Sequence, residues 1–417
     1  MSGKSEKESD NEKASGIDGS AILLPPAAAR RLGLSAGASL KVVVRRGRVE
    51  LLPDIHSLSR VYIEPTSRCN LSCRTCVQRG WGEVAGDMGL GTFNKLLADL
   101  PTFPHLESVM LGGFGEPTAH PGILLMIAGL KGLGLSVEMV SNGTLLDEKL
   151  SAGLAGAGLD RMWVSFDGAD TGNYEHVREG GKFKAVLENV KRLTAAGRVK
   201  AGLAFVVTKS NVADLPKLGD LARAAGVDRV SVSNVIPYTA EMEKQMLCGL
   251  AISLGTFSTV EGRVNIDLPR LDISVETRES LLKTLGGSEN VSLMGTSLAA
   301  AKDECRFVRE RCVFVRWDGK VAPCMALLHD HQIHFRGGLR KNKAYAFGDI
   351  AAQGLAEIWH SAGYADFRNK VIKFDFSPCQ VCGVCNYAET NAEDCGGNLH
   401  PAACGGCLWG QGVIQCP

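Results

Sequence analysis

The chain has few aromatic residues, almost no net charge and no long apolar run. Aromatic residues make up 6% of its 417 residues, and the formal net charge is +1. A nearly neutral surface excludes a protein that binds nucleic acid through charge alone. No apolar run reaches the roughly 18 residues of a membrane span, and no charged-then-apolar leader opens the chain. We therefore expect a cytoplasmic protein with no membrane partner.

Cysteine is the residue type that is abundant, with 14 in the chain. In a reducing compartment such cysteines are more often metal ligands than disulfides. Three lie at Cys69, Cys73 and Cys76, Cys248 stands alone, and the others follow from Cys305 onward. This distribution predicts two separate metal-binding regions.

The first cysteines form a CxxxCxxC pattern. Three thiolates at this spacing can bind one four-iron cube and leave its fourth iron without a protein ligand. A zinc or redox site is the alternative interpretation. Zinc prefers four closed ligands, and no fourth His or Cys lies nearby in the sequence. The pattern therefore favours a cluster with an open iron at Cys69, Cys73 and Cys76.

Composition and periodicity divide the chain into five parts. A polar tail is followed by a small β-rich unit, a strand and helix alternation, a linking region with one helix at 276–285, and a cysteine-rich end. In order, we expect these parts at 1–16, 17–54, 58–238, 239–304 and 305–417.

The central part alternates short apolar strands with helices, which predicts an α/β fold. Six strand and helix units with right-handed crossovers would form a parallel sheet that curls into a partial (β/α)6 barrel of the TIM type. Active residues of such a barrel gather at the carboxyl ends of the strands. The predicted strands are 61–64, 108–112, 136–141, 162–166, 202–207 and 229–234.

Small polar residues and glycines follow these strands. The second strand leads into Gly112–Pro117, the third ends at Ser141-Asn142-Gly143, and the fourth at Ser165-Phe166-Asp167-Gly168. Glycine lets backbone approach a ligand closely, and a carboxylate such as Glu116 can bind an ammonium group.

Together these motifs resemble the radical S-adenosylmethionine (SAM) superfamily over about residues 60–237. The resemblance implies that SAM chelates the open iron and is cleaved to a 5'-deoxyadenosyl radical, with an electron from a donor such as ferredoxin or flavodoxin. It places the methionyl amine near the glycine-rich strand end, the ribose and sulfonium near the next two strand ends, and the carboxylate near an arginine. The matching residues are Gly112, Gly113, Gly115, Glu116, Asn142, Ser165, Asp167 and Arg178. Asp167 and Arg178 are equally compatible with a solvated or structural role.

The cysteine-rich end resembles the SPASM auxiliary-cluster domain, with its Cys, Gly and Cys at Cys312, Gly319 and Cys324. Asp318-Gly319 also predicts a hairpin turn. Two auxiliary four-iron clusters need eight of the ten cysteines there, and paired zinc fingers are the alternative. We assign Cys305, Cys312, Cys324 and Cys407 to the inner cluster, and Cys379, Cys382, Cys404 and Cys416 to the outer one, with Cys385 or Cys395 as substitutes. The later cysteines are spaced more widely than is usual in SPASM domains.

Three histidines, His329, His331 and His334, follow Cys324 closely. They could bind metal, but a polar loop of solvated histidines is the simpler interpretation.

The final residues, 404–417, resemble the end of radical maturases associated with tungsten-dependent aldehyde ferredoxin oxidoreductase-type enzymes. This implies maturation of such an enzyme or of its pterin cofactor, with that protein as the partner. A radical SAM/SPASM enzyme that modifies a peptide is the first alternative. A DNA-binding iron-sulfur redox sensor that does not cleave SAM is the second.

The unit at 17–54 resembles the swapped-hairpin domain of AbrB-type regulators, which dimerise. We predict a helix at 27–34 and strands at 40–45 and 48–52. Dimerisation or partner docking is the favoured role, and DNA binding is the alternative. The basic residues behind that alternative are Arg30, Arg31, Lys41, Arg45, Arg46 and Arg48.

Overall fold

The computed structural model divides the chain into two compact units, Met1–Ser57 and Leu58–Pro417. Within its described ranges, no helix is long and apolar enough to cross a membrane. The described residues are 17–18, 21–22, 40–45, 48–195, 197–248, 265–269, 271–272, 274–285, 290–293, 305–335, 337–374, 376–377, 386–399, 401–410 and 412–415.

The first unit contains two antiparallel strand pairs. The predicted hairpin is confirmed, because the third and fourth strands pair along their whole length around residues 46–47. The predicted tail at 1–16 and helix at 27–34 lie outside the described residues. The AbrB-like fold, dimerisation and DNA binding therefore stay predictions. The strands are β1 (Ile17–Asp18), β2 (Ala21–Ile22), β3 (Leu40–Arg45) and β4 (Arg48–Pro53).

The second unit is built on a parallel sheet whose strands follow one another in chain order. All six predicted strands are present, with ends that differ by at most two residues. The α/β fold is thus confirmed. These strands are β5 (Arg60–Ile63), β6 (Ser108–Leu111), β7 (Ser136–Ser141), β8 (Arg161–Ser165), β9 (Lys200–Val207) and β10 (Arg229–Asn234).

The interpretation of 239–304 as a linker needs correction. Two further parallel strands, β11 (Asn265–Leu268) and β12 (Asn290–Leu293), extend the sheet beyond β10. The helix Val275–Leu285 connects them, close to its predicted position. The sheet therefore has eight parallel strands from β5 to β12 rather than six. Each added strand has four residues of which two are polar, so neither forms the short apolar run that marks β5 and β6.

Helices connect the parallel strands as right-handed crossovers require. The helix at 148–157 shows how the sequence sets such boundaries, since Asp147 caps its first turn and left-handed Gly158 ends it. The other crossover helices of β5 to β10 are Leu90–Asp99, Ile123–Gly132, Thr171–Val177, Phe183–Ala195 and Leu218–Ala225.

The cysteine-rich region joins the same sheet. β13 (Cys312–Val315) pairs in parallel with β5, and β14 (Lys320–Ala322) folds back on β13 through the predicted turn, with Gly319 at φ +92°. The remaining elements are Ala240–Lys244, Arg306–Arg309, β15 (His331–Phe335), β16 (Gly338–Asn342), β17 (Gly348–Asp349), Leu355–His360 and Ala362–Lys373.

The two faces of the sheet pack against different parts of the chain. Val61 and Ile63 belong to the core beneath the helices, whereas Tyr62 points to the opposite face and stacks on Phe314 at 4.3 Å. Buried Trp409 and Ile414 from the end of the chain join this second cluster. The cysteine-rich region is therefore packed against the inner face of the sheet.

Candidate iron-sulfur and SAM site

Cys69, Cys73 and Cys76 lie together in the loop after β5. Burial raises the pKa of Cys76 to about 11, and the nearby Cys73 and Cys69 thiolates add to this rise. Among the described residues, no three His, Cys, Asp or Glu side chains converge on one metal ion. A cube requires no such convergence because each thiolate binds a different iron. The arrangement fits a cluster and gives no support to a mononuclear zinc site.

Hydrogen bonds fix this loop on two sides. Gln78 donates through Nε2 to the carbonyl oxygens of Ser67 and Phe114, both at 2.7 Å. On the other side, the Arg74 amide donates to the carbonyl of Val177, the last residue of the helix Thr171–Val177, and the Ser72 amide donates to the carbonyl of Glu179 just after it. The cysteine loop is therefore held against the glycine-rich loop that follows β6.

Two positions of that glycine-rich loop have no room for a side chain. A Cβ on Gly113 would lie 2.5 Å from Cγ of Glu64, and one on Gly115 would lie 2.1 Å from the Thr66 carbonyl oxygen. The Glu116 amide also donates to the Arg68 carbonyl at 2.8 Å. Glycine is required here because the loop lies directly on the backbone that leads to Cys69.

We expect Gly115→Ala to weaken SAM binding by about tenfold or more, because the added methyl group must displace backbone beside the cluster loop. The Thr66 carbonyl is backbone and cannot rotate away as a flexible side chain could. Gly82→Ala is the matched control, since a Cβ there meets nothing within 4 Å. Equal SAM affinity of the two reconstituted variants, measured by equilibrium dialysis, would contradict the expectation.

Glu116 is buried, and its carboxylate binds donors of its own chain. It accepts hydrogen bonds from the Ser141 hydroxyl at 2.8 Å, the Asn142 amide at 2.6 Å and the Thr118 amide at 3.0 Å. These contacts join the ends of β6 and β7. Glu116 thus holds the site together, and its predicted contact with an ammonium group stays a prediction.

Asn142 supports the cysteine loop from the end of β7. Its Nδ2 donates to Asn70 Oδ1 at 2.8 Å and lies 3.8 Å from Cys69 Sγ. Its Oδ1 accepts from the Thr144 amide at 2.9 Å. The side chain that was predicted near the ribose therefore holds the first cysteine.

Asp167 and Arg178 form a buried ion pair behind the cluster loop. Arg178 Nη2 lies 2.9 Å from Asp167 Oδ2, although the angle falls outside hydrogen-bond geometry, and Arg178 Nη1 lies 3.9 Å from Cys73 Sγ. Burial alone would lower the pKa of Arg178, but the charges of Asp167 and Cys73 outweigh it and hold that pKa above its ordinary value. Asp167 is fully buried and also accepts a hydrogen bond from the Val206 amide. Of the two roles left open for Asp167, the structure therefore favours the structural one over a solvated one.

Two open donors suit an anionic, hydroxyl-bearing ligand. Within the described chain, the buried Nε of Arg178 has no hydrogen-bond partner. The Ser165 hydroxyl, at the partly exposed end of β8, likewise has no partner in the described ranges. A carboxylate and a ribose hydroxyl are the groups that such donors bind, so the residues present fit SAM.

The auxiliary thiols gather at the base of the hairpin formed by β13 and β14. Burial raises the pKa of Cys324, and the charges of the nearby Cys407 and Cys305 thiolates raise it further. Cys404, assigned to the outer cluster, experiences the charges of Cys305, Cys407 and Cys324 and therefore lies with the inner group. Buried Cys312 neighbours Cys305. Five thiols are thus near the inner cluster, where four were expected.

Most of the cysteines assigned to the outer cluster are not among the described residues. Cys379, Cys382, Cys385 and Cys416 lie outside the described residues, and their assignment stays a prediction. Cys395 is exposed, with its thiol 3.2 Å from the Ser377 hydroxyl.

The prediction of solvated histidines after Cys324 was wrong for His329 and His331, whereas His334 is partly exposed. His329 and His331 are buried, and His329 bonds to two carboxylates, Glu64 and Glu83. Glu64 directly follows β5, so the strand-end rule that selected the other candidates also applied to it. Glu83 and Gln78, by contrast, carry no signal in the sequence.

The structure has a parallel sheet, a loop with three cysteines after the first parallel strand, and a cysteine-rich region on the inner face of the sheet. Together these features define a radical SAM enzyme with auxiliary clusters. Residues 63–222 match the radical SAM superfamily, and residues 305–386 match SPASM, an iron-sulfur cluster-binding domain. The chain is 30% identical over 371 residues to the tungsten-containing aldehyde ferredoxin oxidoreductase cofactor-modifying protein of Pyrococcus furiosus, covering 86% of this chain and 96% of that one. The chain therefore belongs to the radical SAM enzymes with a SPASM domain, in the family of that protein.

Two further similarities cover less of this chain. The PqqA peptide cyclase of Gluconobacter oxydans is 32% identical over 178 residues, 42% of this chain and 49% of that protein. Streptococcus suis SuiB bound to its precursor peptide SuiA has a TM-score of 0.53 at 16% identity, covering 78% of this chain and 70% of that one. The second similarity shows the fold alone. Membership in an enzyme family also argues against the redox-sensor alternative, which requires that SAM is not cleaved.

Proposed function

We propose that this chain matures a tungsten-containing oxidoreductase of the aldehyde ferredoxin type, by acting on that enzyme or on its cofactor. The observation that carries the proposal is the similarity to the Pyrococcus furiosus protein, which covers 96% of that relative. A similarity of that extent reaches well beyond the barrel, whereas the similarity to the peptide cyclase covers less than half of either chain.

In this proposal Cys69, Cys73 and Cys76 hold the cluster and leave one iron for SAM. When bound and reduced, this group supplies a 5'-deoxyadenosyl radical that can abstract hydrogen from a substrate. Arg178 orients the methionyl carboxylate through its open Nε, and Ser165 binds the ribose. Because both donors are partly or fully buried, they orient the ligand in a place where water competes little.

The inner auxiliary thiols supply the second part of the proposal. Cys305 packs against the cluster of apolar side chains that also contains Tyr62 and Phe314 on the inner face of the sheet. An auxiliary cluster there would lie on the substrate side of the barrel, where it could accept an electron from the substrate.

The test is maturation of the oxidoreductase with and without this chain. We expect the oxidoreductase to be active when it is co-produced with the wild-type chain, and inactive with a Cys76→Ala variant or in a strain that lacks the chain. Enzyme activity and the mass of the extracted pterin cofactor are measured. Full oxidoreductase activity in the strain that lacks the chain would contradict the proposal.

A peptide-modifying role remains the second candidate because of the similarity to the PqqA peptide cyclase. The same samples distinguish the two. A mass change on a separate short peptide, with an unaltered oxidoreductase and cofactor, would favour peptide modification.

A further inference from the structure

His329 lies between two glutamates from distant parts of the chain. Its Nε2 is 2.8 Å from Glu64 Oε2, and its Nδ1 is 2.7 Å from Glu83 Oε2. His329 is 0% exposed and Glu64 is 1% exposed. A buried histidine with a carboxylate on each ring nitrogen has no remaining hydrogen-bonding capacity, so its position is determined by both partners.

The surroundings keep water away from His329 and Glu64, whereas the Glu83 side chain is 25% exposed. The ring of Trp81 meets the His329 ring edge-on at 4.3 Å, and the Phe114 ring lies 5.7 Å away. Trp81 Nε1 donates to the Asp330 carbonyl at 2.9 Å, and the Asp330 amide donates to Glu83 at 2.9 Å.

The other oxygen of Glu64 reaches the glycine-rich loop. Glu64 Oε1 accepts from the Phe114 amide at 3.0 Å. Because a trans peptide unit is planar, its N–H and C=O point in opposite directions. The bond from Phe114 to Glu64 therefore turns the Gly113 carbonyl away from Glu64.

That carbonyl is available to a ligand. Gly113 is partly exposed, and in the described part of the chain no hydrogen bond reaches its oxygen. Glu64 also lies so close to Gly113 that no Cβ could be accommodated, so the peptide has little freedom to turn. A carbonyl oxygen held in this direction is an acceptor for an ammonium group.

We propose that His329 and Glu64 are positioning residues for SAM, which hold the Gly113–Phe114 peptide with its carbonyl toward the methionyl ammonium. His329 follows the auxiliary ligand candidate Cys324 by five positions. The auxiliary-cluster region therefore sets the affinity for SAM through this contact. The inference rests on the SAM site of the proposed function, though not on the identity of the target.

The test is SAM binding to the full-length, anaerobically reconstituted enzyme, measured by equilibrium dialysis with labelled SAM. We expect His329→Asn to bind SAM about tenfold more weakly, because Glu64 loses a buried partner and the peptide is released. His120→Asn is the control, since this buried histidine bonds to the Met88 carbonyl and the Gly122 amide and contacts neither His329 nor either glutamate. It is expected to stay within about twofold of the wild type.

A second pair of variants separates positioning from folding. The amide oxygen of Glu64→Gln can still accept from Phe114, whereas Glu64→Leu cannot. We expect the Gln variant to retain more SAM affinity than the Leu variant at equal iron content. Wild-type affinity in His329→Asn, or equal affinity in the two Glu64 variants, would overturn the inference while leaving the proposed function intact. A wild-type enzyme that does not bind SAM would overturn both.

Discussion

Replacing Cys73 with alanine is expected to abolish cleavage of SAM, to below about 1% of the wild-type rate. Two thiolates cannot hold a cube in the geometry that leaves one iron open, so the cluster is lost or loses its binding position for SAM. Cys73 is also the thiol that neighbours Arg178, at 3.9 Å. The measurements are iron content and 5'-deoxyadenosine formed under reducing, anaerobic conditions.

Iron counting separates loss of this cluster from general unfolding. We expect the iron content to fall from about twelve to about eight atoms per chain, since the auxiliary clusters remain. Cys248→Ala is the matched control, because Cys248 is a buried cysteine outside both cysteine groups. It is expected to keep full iron content and cleavage. Substantial SAM cleavage by the Cys73 variant would contradict the assignment.

Arg178→Met is expected to have the second largest effect, on stability and SAM affinity together. Removing the guanidinium leaves the carboxylate of Asp167 buried and without its cation, which costs roughly 3–5 kcal/mol. The exposed ion pair between Arg223 and Asp220 provides the contrast. Arg223→Met should cost less than about 1 kcal/mol, because water replaces the lost partner there.

Arg178→Lys separates the two roles of the arginine. Lysine keeps the positive charge beside Asp167 but lacks the open Nε donor, so we expect most of the stability to return while SAM affinity stays about tenfold lower. Anaerobic thermal unfolding and equilibrium dialysis measure the two effects. If Arg178→Lys bound SAM as tightly as the wild type, Arg178 would have only a structural role.

The strands of the barrel could be predicted because each contains a short local run of apolar residues. Val61, Tyr62 and Ile63 form such a run, although the sequence does not show that Tyr62 faces the side of the sheet opposite to Val61 and Ile63. The strand Asn290–Leu293 shows the limit of this reasoning. It has four residues, two of them polar, and becomes a strand by pairing with Asn265–Leu268. The pairing of β13 with β5 was also beyond prediction, since periodicity does not identify a partner.

In the site too, features that depend on neighbouring residues could be predicted, whereas contacts between distant parts of the chain could not. Cys69, Cys73 and Cys76 are a local motif, and they could be recognised from their spacing together with the strand-end motifs that follow. The hydrogen-bond partners of His329 are separated from it by 265 and 246 positions, so no local pattern could show that it is buried. For the same reason the sequence could not show that Glu116 accepts hydrogen bonds from Ser141 and the Asn142 amide at the end of β7, while its contact with a ligand stays a prediction.

The most direct test of the central claim is 5'-deoxyadenosine production by the reconstituted enzyme, with and without the oxidoreductase isolated from a strain that lacks this chain. A radical SAM maturase of that enzyme should form 5'-deoxyadenosine faster when the immature oxidoreductase is added, and matured oxidoreductase should give no such stimulation. No 5'-deoxyadenosine under any condition, or the same rate with and without the immature target, would contradict the account.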